Sequence, residues 1–196
     1  MKKTTQSNGV VLATLSVFYG LYLIVNHWPM DRIELPFMVY EEDIPFVPWT
    51  IVIYLSLFFQ AVLFIKYIPE KIFWRVMLLG FVMLLIHIII FCFFPVKYPR
   101  GNVESDNIIL ELFRYIDTAG NCLPSLHVSC AIFFANLYVI WEKSMWRKVV
   151  MCIWSALIIV SVLTVKQHYI WDILLSIVIT RLFIIIPFES KLRLRP

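Results

Sequence analysis

Glycine and charge are both scarce in this chain. Five glycines among 196 residues leave no glycine-rich loop of the kind that cradles a nucleotide. Charged residues are 15% of the total, and the acids form no cluster that would hold a divalent cation, so no metal site and no cofactor are expected. The four cysteines, Cys92, Cys122, Cys130 and Cys152, form no metal-type pair and no disulfide framework. Three of them lie in or beside apolar runs, where a thiol behaves as a small hydrophobe. There is no internal repeat and no low-complexity tract.

What fills the chain instead is apolar. Hydrophobic residues make up 61% and the mean hydropathy is +0.84, against roughly half apolar in a soluble domain. The excess is gathered in runs long enough to cross a bilayer, so the sequence predicts a single integral membrane domain, all-α, over 1–196. Six spans are expected, at about 10–25, 49–65, 76–94, 125–141, 149–165 and 169–186. The first reads as a retained anchor, because Asn26-His27-Trp28-Pro29 follows it where a signal peptide would carry small residues.

Between the first two spans, residues 27–48 are acidic and rich in proline, which prevents a helix and favours an extended loop. Its aromatics, Trp28, Phe37, Tyr40, Phe46 and Trp49, suit the headgroup level of a membrane. In the 96–123 loop, Ile108, Ile109, Leu112, Phe113 and Ile116 recur at helical spacing, with Glu111, Arg114 and Thr118 opposite. That pattern predicts a short amphipathic helix, lying on the membrane or capping the bundle.

Six spans put both termini on one side. The amino end, the 66–75 turn, the 142–148 turn and the carboxyl tail then share one face and carry most of the Lys and Arg. The excess of cations on the cytoplasmic side of membrane proteins assigns that face to the cytoplasm. The remaining polar residues collect on the extracytoplasmic face.

Two stretches there carry the chemistry: Gly120-Asn121-Cys122-Leu123-Pro124-Ser125-Leu126-His127 and Lys166-Gln167-His168-Tyr169-Ile170-Trp171-Asp172. His168 and Asp172, four apart, share a helix face, so the carboxylate can fix the ring tautomer and leave the other nitrogen as nucleophile or base. The same spacing would also serve merely to stabilise a helix end. Pro124 and Ser125 suit the first turn of a helix, whose free amides attract anions, and His127 follows as a proton donor. Lys97 and Arg100 offer dispersed positive charge for a phosphate, or act as ordinary interfacial cations; Lys166 either binds phosphate or ends the fifth span. His27 and His87 read as structural, and Arg181 as a side chain reaching toward the membrane surface rather than the site.

The ordered set Pro95-Val-Lys97-Tyr-Pro-Arg100, Pro124-Ser125-Leu126-His127 and His168-Tyr-Ile-Trp-Asp172 resembles the type 2 phosphatidic acid phosphatase superfamily. The Pro-Ser-Leu-His form is most similar to the branch containing inositol phosphorylceramide synthases and their bacterial relatives. The motifs cover about residues 90–180. The resemblance implies that His168 attacks phosphorus, Asp172 orients it, His127 protonates the departing lipid alcohol, and Lys97, Arg100 and Ser125 hold the phosphate without a metal. Two departures stand out. Many members have Ser-Gly-His where this chain has Ser125-Leu126-His127, and the arginine six residues ahead of the third-motif histidine is Val162 here, with Lys166 as a candidate replacement.

The expectation is therefore a lipid phosphatase of a bacterial inner membrane, its partners a lipid phosphate and the bilayer rather than nucleic acid. The substrate class spans phosphatidic acid, phosphatidylglycerol phosphate, polyprenyl diphosphate and lipid A phosphate. A phosphotransferase using the same residues is the alternative, and a non-enzymatic transporter or assembly subunit the third reading. Oligomeric state is left open.

Overall fold

A computed structural model describes residues 7–100 and 105–185, with backbone alone over 183–185. Lys2, Lys3 and the cationic tail used in the topology reading lie outside the described residues. Within them the chain is all-helical: α1 Asn8–Asn26, α2 Ile51–Tyr67, α3 Phe73–Phe93, α4 Ile108–Ile116, α5 Leu126–Trp141, α6 Met145–Thr164 and α7 Ile170–Ile179. Short 3-10 turns, Pro48–Thr50 and Glu70–Ile72, lead into α2 and α3, and α7 runs on as a wider π-type segment, Thr180–Ile185. The described residues hold no strand, only an isolated bridge between Ile33 and Val96.

Four of these elements, Asn8–Asn26, Pro48–Tyr67, Glu70–Phe93 and Met145–Thr164, are long and apolar enough to cross a bilayer. Their outward side chains include Leu12, Val52, Leu78 and Val160, all more than half exposed, which water would not tolerate as a continuous belt. This is an integral membrane protein. The expected fourth and sixth spans are shorter helices. α5 has 16 residues and α7 has 10, below the roughly 20 that a bilayer asks for. Both begin at buried loops rather than at an exposed end, since Ser125 and Tyr169 are fully buried.

Lipid tails are as apolar as leucine, so helix association inside a membrane rests on close packing and polar pairs, each worth about 0.6 kcal/mol. The bundle has several such pairs. Gln60 Nε2 donates to Ser155 Oγ at 2.9 Å and Trp154 Nε1 to Ser56 Oγ at 2.8 Å, joining α2 to α6. His87, fully buried on α3, meets Ser129 Oγ of α5 at 2.9 Å, which is the structural role its sequence position suggested. Among the described residues the His27 ring bonds locally, to the Leu23 carbonyl at 3.0 Å. Arg181 reaches Asn136 of α5 and not the site.

The helix expected in the 96–123 loop is α4. Asn107 caps it, its Oδ1 accepting from Ile109 N and Leu110 N at 3.1 and 3.2 Å. Leu110, absent from the expected apolar face, is fully buried in a cluster with Tyr54 and Val128, because α4 sits across the tops of α2 and α5. Of the expected face, Phe113 is buried, while Ile109, Leu112 and Ile116 border an internal cavity described below.

Candidate active site

The site forms at one end of the bundle, where α1 and α3 end, α2, α5 and α7 begin, and α6 turns back. Contacts between distant segments hold these ends together. Val47 N donates to Thr164 O at 2.8 Å, tying the entry of α2 to the end of α6. The buried Asn26 closes α1 onto the 118–120 loop: its Oδ1 accepts from Thr118 N at 3.0 Å and Thr118 Oγ1 at 2.9 Å, and its Nδ2 donates to Gly120 O at 3.3 Å. A Cβ at Gly120 would fall 2.3 Å from Arg32 Nε, so any larger residue there would have to displace that side chain. That guanidinium in turn donates to the Asn26 carbonyl at 2.8 Å.

His168 and Asp172 meet, but not on one helix face as expected: α7 begins at Ile170, and His168 lies ahead of its N-cap, Tyr169. His168 Nδ1 lies 3.0 Å from Asp172 Oδ2 and 3.1 Å from the Cys122 carbonyl. Asp172 Oδ2 also accepts from Tyr169 N at 2.9 Å, so one carboxylate both orients the ring and caps α7. His168 Nε2 has no partner among the described residues and the ring borders the cavity. Backbone on either side adopts the left-handed region, with φ of 58° at Asn121 and 55° at Lys166. A side chain pays for that conformation, and it recurs at functional sites.

His127, in the first turn of α5, lies on the ring of Tyr54, with centroids 3.7 Å apart and planes 13° from parallel. Its Nε2 donates to the Tyr54 carbonyl at 2.7 Å, leaving Nδ1 as the nitrogen free to exchange a proton. Ser125 is the N-cap of α5, its Oγ accepting from Val128 N at 3.2 Å. Its backbone N donates to the Asp172 carbonyl at 3.4 Å, which locks the start of α5 to α7.

The cations fall in three different settings. Arg100 inserts its guanidinium among backbone carbonyls, donating to Asp117 O at 2.8 Å, Thr118 O at 3.2 Å and Arg114 O at 3.3 Å, and to the Gln167 side chain next to His168. Lys97 makes a half-exposed ion pair with Glu34 at 3.2 Å. Lys166 is half-buried, two residues from His168 at the turn that follows α6.

Several site residues were assigned no role by sequence reasoning. Glu41, in the acidic loop, is buried and caps α7: its Oε1 accepts from Ile170 N at 2.8 Å and its Oε2 from Met38 N at 2.8 Å. Asp117 is buried, takes a hydrogen bond from Tyr22 at 2.8 Å, and has its carboxyl pushed above the ordinary range by burial, partly offset by Tyr22, Arg100 and His168. Asn121 is 2% exposed, and neither its Oδ1 nor its Nδ2 finds a partner. Nothing in the local sequence marks these residues, because each acts across a long stretch of chain.

All of this opens on a mainly apolar cavity of about 570 Å³. His127, His168, Asp117 and Asn121 border its polar end, and Phe64, Ile65 and Val76 its far end. Along α2 the lining runs from Tyr54 to Ile65, about 16 Å at the rise of a helix and roughly half the hydrocarbon thickness of a bilayer. The lining is mostly apolar, and the two histidines and Asp117 border it together with Asn121.

Cys122 Sγ, His168 and Asp172 present ligand-type atoms within 4.8 Å of one another, a grouping the spacing of the cysteines did not suggest. Burial pushes the Cys122 thiol well up, and it donates to the Ala119 carbonyl at 2.9 Å, which favours a protonated thiol over a metal-binding thiolate. The His168 nitrogen nearest the group is the one already bonded to Asp172.

Compared with known families, the chain matches the PAP2 superfamily over residues 75–194. No curated protein matches it, and no solved structure does. The matched region takes in α3 to α7 and all the motif residues described above.

Proposed function

This chain belongs to the PAP2 superfamily, and from that premise we propose that it is a metal-independent membrane lipid phosphatase working through a phosphohistidine on His168. The family consists of phosphatases and related phosphotransferases acting on lipid phosphoesters, so the general class of enzyme is set. The observation that carries the finer reading is the state of His168: Nδ1 is held by Asp172 and the Cys122 carbonyl, while Nε2 is unpartnered in a ring that borders an apolar cavity.

In the first half-reaction His168 Nε2 forms a bond to phosphorus as the bond to the lipid oxygen breaks, and that oxygen takes a proton from His127. Water then attacks phosphorus, the P–N bond returns its electrons to the ring, and the water proton passes back to His127. Asp172 stabilises the charge that develops on the His168 ring. Arg100 and Lys166 flank His168 and supply positive charge to the phosphoryl oxygens, with Lys97, paired to Glu34, adding to it from the half-exposed surface. The cavity takes the hydrocarbon, which favours lipid phosphates such as phosphatidic acid, phosphatidylglycerol phosphate, polyprenyl diphosphate or a lipid A phosphate. We read six spans with both termini cytoplasmic, α4 at the membrane surface, and the site at the extracytoplasmic face of a bacterial inner membrane, on the distribution of Lys and Arg.

The test is phosphate release by purified protein in detergent from a panel of lipid phosphates, with EDTA present and His168→Ala as control. Release that survives chelation and disappears in the variant is the expected result. Release that EDTA abolishes and zinc restores would overturn the metal-free reading and point to the Cys122, His168 and Asp172 group. Phosphotransfer to an alcohol is a second reading, favoured by the unpartnered polar groups beside His168.

A further inference from the structure

The mechanism above leaves two buried polar side chains of the cavity without work. Asn121 borders it next to Cys122, whose carbonyl bonds His168 Nδ1, so its position is tied to the nucleophile. It is 2% exposed, and both its donor and its acceptor atoms are orphaned. An unpartnered buried amide costs about 1–3 kcal/mol, a penalty that persists in a folded protein where a ligand relieves it. Asp117 borders the same cavity. One of its oxygens is taken by Tyr22 at 2.8 Å, and the other has no partner among the described residues.

These groups do not suit a phosphate. A phosphate accepts hydrogen bonds and carries negative charge, whereas Asp117 is itself an acceptor and Asn121 Oδ1 offers only lone pairs. A neutral hydroxyl fits: it can donate to Asp117 and accept from Asn121 Nδ2 at the same time. Arg100 is near enough to offset part of the cost of burying Asp117, but it donates to backbone carbonyls and to Gln167, and among the described residues it makes no ion pair with the Asp117 carboxylate.

We propose that Asp117 and Asn121 form a hydroxyl-binding subsite beside His168, one that takes an alcohol group at the moment the phosphoryl group is handled. This rests on the phosphohistidine reading. The hydroxyl has two possible sources: the head group of the lipid phosphate itself, or a separate acceptor alcohol. In the second case a neighbouring hydroxyl of the same acceptor, not the one held by Asp117, forms the new P–O bond, the P–N bond to His168 breaks and returns its electron pair to the ring, and the attacking hydroxyl's proton passes to His127, as it does from water in hydrolysis.

The experiment compares wild-type protein with Asp117→Asn, Asn121→Asp and Asn121→Gly. The glycine keeps the left-handed backbone at 121, and detergent melting curves establish that each variant is folded. Three assays are run with EDTA: hydrolysis of a simple alkyl phosphate lacking any hydroxyl, hydrolysis of a phosphatidylglycerol phosphate, and transfer from the alkyl phosphate to added glycerol. The alkyl phosphate is expected to be hydrolysed at nearly the wild-type rate by all variants. A head-group source predicts that kcat/KM for the glycerol-bearing lipid falls roughly tenfold, the worth of one hydrogen bond to a ligand. An acceptor source predicts the same loss in the ratio of glycerol phosphate to free phosphate. Equal losses in all three assays, or none in any, would overturn the subsite while leaving the phosphatase intact. Absence of His168-dependent turnover in the wild type would overturn the underlying reading instead, and the subsite with it.

Discussion

Asp172 Oδ2 stands 3.0 Å from His168 Nδ1 and 2.9 Å from Tyr169 N, so a single oxygen both aims the candidate nucleophile and starts the helix that follows it. Ring orientation and helix geometry cannot drift apart in such an arrangement. Asp172→Asn keeps the shape and removes the charge that would stabilise a phosphorylated ring. It is expected to lower kcat by about 10²–10⁴-fold with little change in KM. Asp172→Ala also loses the cap, about 1 kcal/mol of stability. Steady-state kinetics and thermal melting in detergent check both, and an asparagine variant with near-normal kcat would remove Asp172 from the mechanism.

Glu41 is the second support of α7, reached from 129 residues away. Glu41→Ala leaves Ile170 N and Met38 N without acceptors, and a buried unpaired donor costs about 1–3 kcal/mol. A clear fall in melting temperature is expected, with a fall in kcat because His168 lies just ahead of the start of α7 that Glu41 holds. Glu41→Gln keeps one of the two acceptors and turns an amide donor toward the other N–H, so it is expected to lose about half as much. A glutamine variant as stable as the wild type would mean that these two hydrogen bonds contribute little.

Asp117 gives a pH dependence of defined sign. Burial raises its carboxyl pKa above the unfolded value, so between those two values the folded protein binds more protons than the unfolded chain. Stability therefore falls as pH rises through that window, and the penalty is fully present above the folded pKa. Asp117→Asn retains an acceptor for Tyr22 and removes the penalty. Its melting temperature is expected to equal or exceed that of the wild type at neutral pH and to depend less on pH through the acidic range. Unfolding curves at a series of pH values read this directly; a steeper dependence in the variant would contradict it.

Gly80 borders the cavity on α3, where a Cβ would stand 3.4 Å from the Phe18 ring, an ordinary contact. A larger side chain must extend into the space. Gly80→Leu is expected to raise KM roughly tenfold for long-chain lipid phosphates, a loss of about 1.4 kcal/mol, and to leave a short soluble phosphate ester almost unaffected. Chain-length profiles of wild type and variant compare the two. A uniform loss across chain lengths would mean that the cavity does not seat the hydrocarbon.

How much of the site could be read in advance depends on the distance over which each residue acts. The pairing of His168 with Asp172 was legible from their closeness in sequence, but its geometry was not: His168 lies ahead of α7 and meets Asp172 where that carboxylate caps the helix. Ser125 before α5 was legible as a helix start, although its hydroxyl oxygen serves the cap. Leu110 was missed on α4 because periodicity marks an apolar stripe without saying which side meets the bundle. Asn26, Asp117 and Glu41 were missed altogether. Their partners lie far along the chain, and an isolated Asn, Asp or Glu in a polar loop looks the same whether it faces solvent or a buried amide.

The sequence alone determined that this is a helical membrane protein, since apolar runs of that length have no other stable home, and it determined the order of the family motifs and the pairing of His168 with Asp172. Only the tertiary structure decided where Arg100 spends its donors, that Glu41 caps α7, and that Asp117 and Asn121 share a cavity with the histidines. Local patterns follow from bond geometry and hydrophobicity, which each residue carries with it. Buried polar contacts between distant segments exist only once the helices have packed, because the low-dielectric interior then forces each polar atom to find a partner or to wait for a ligand.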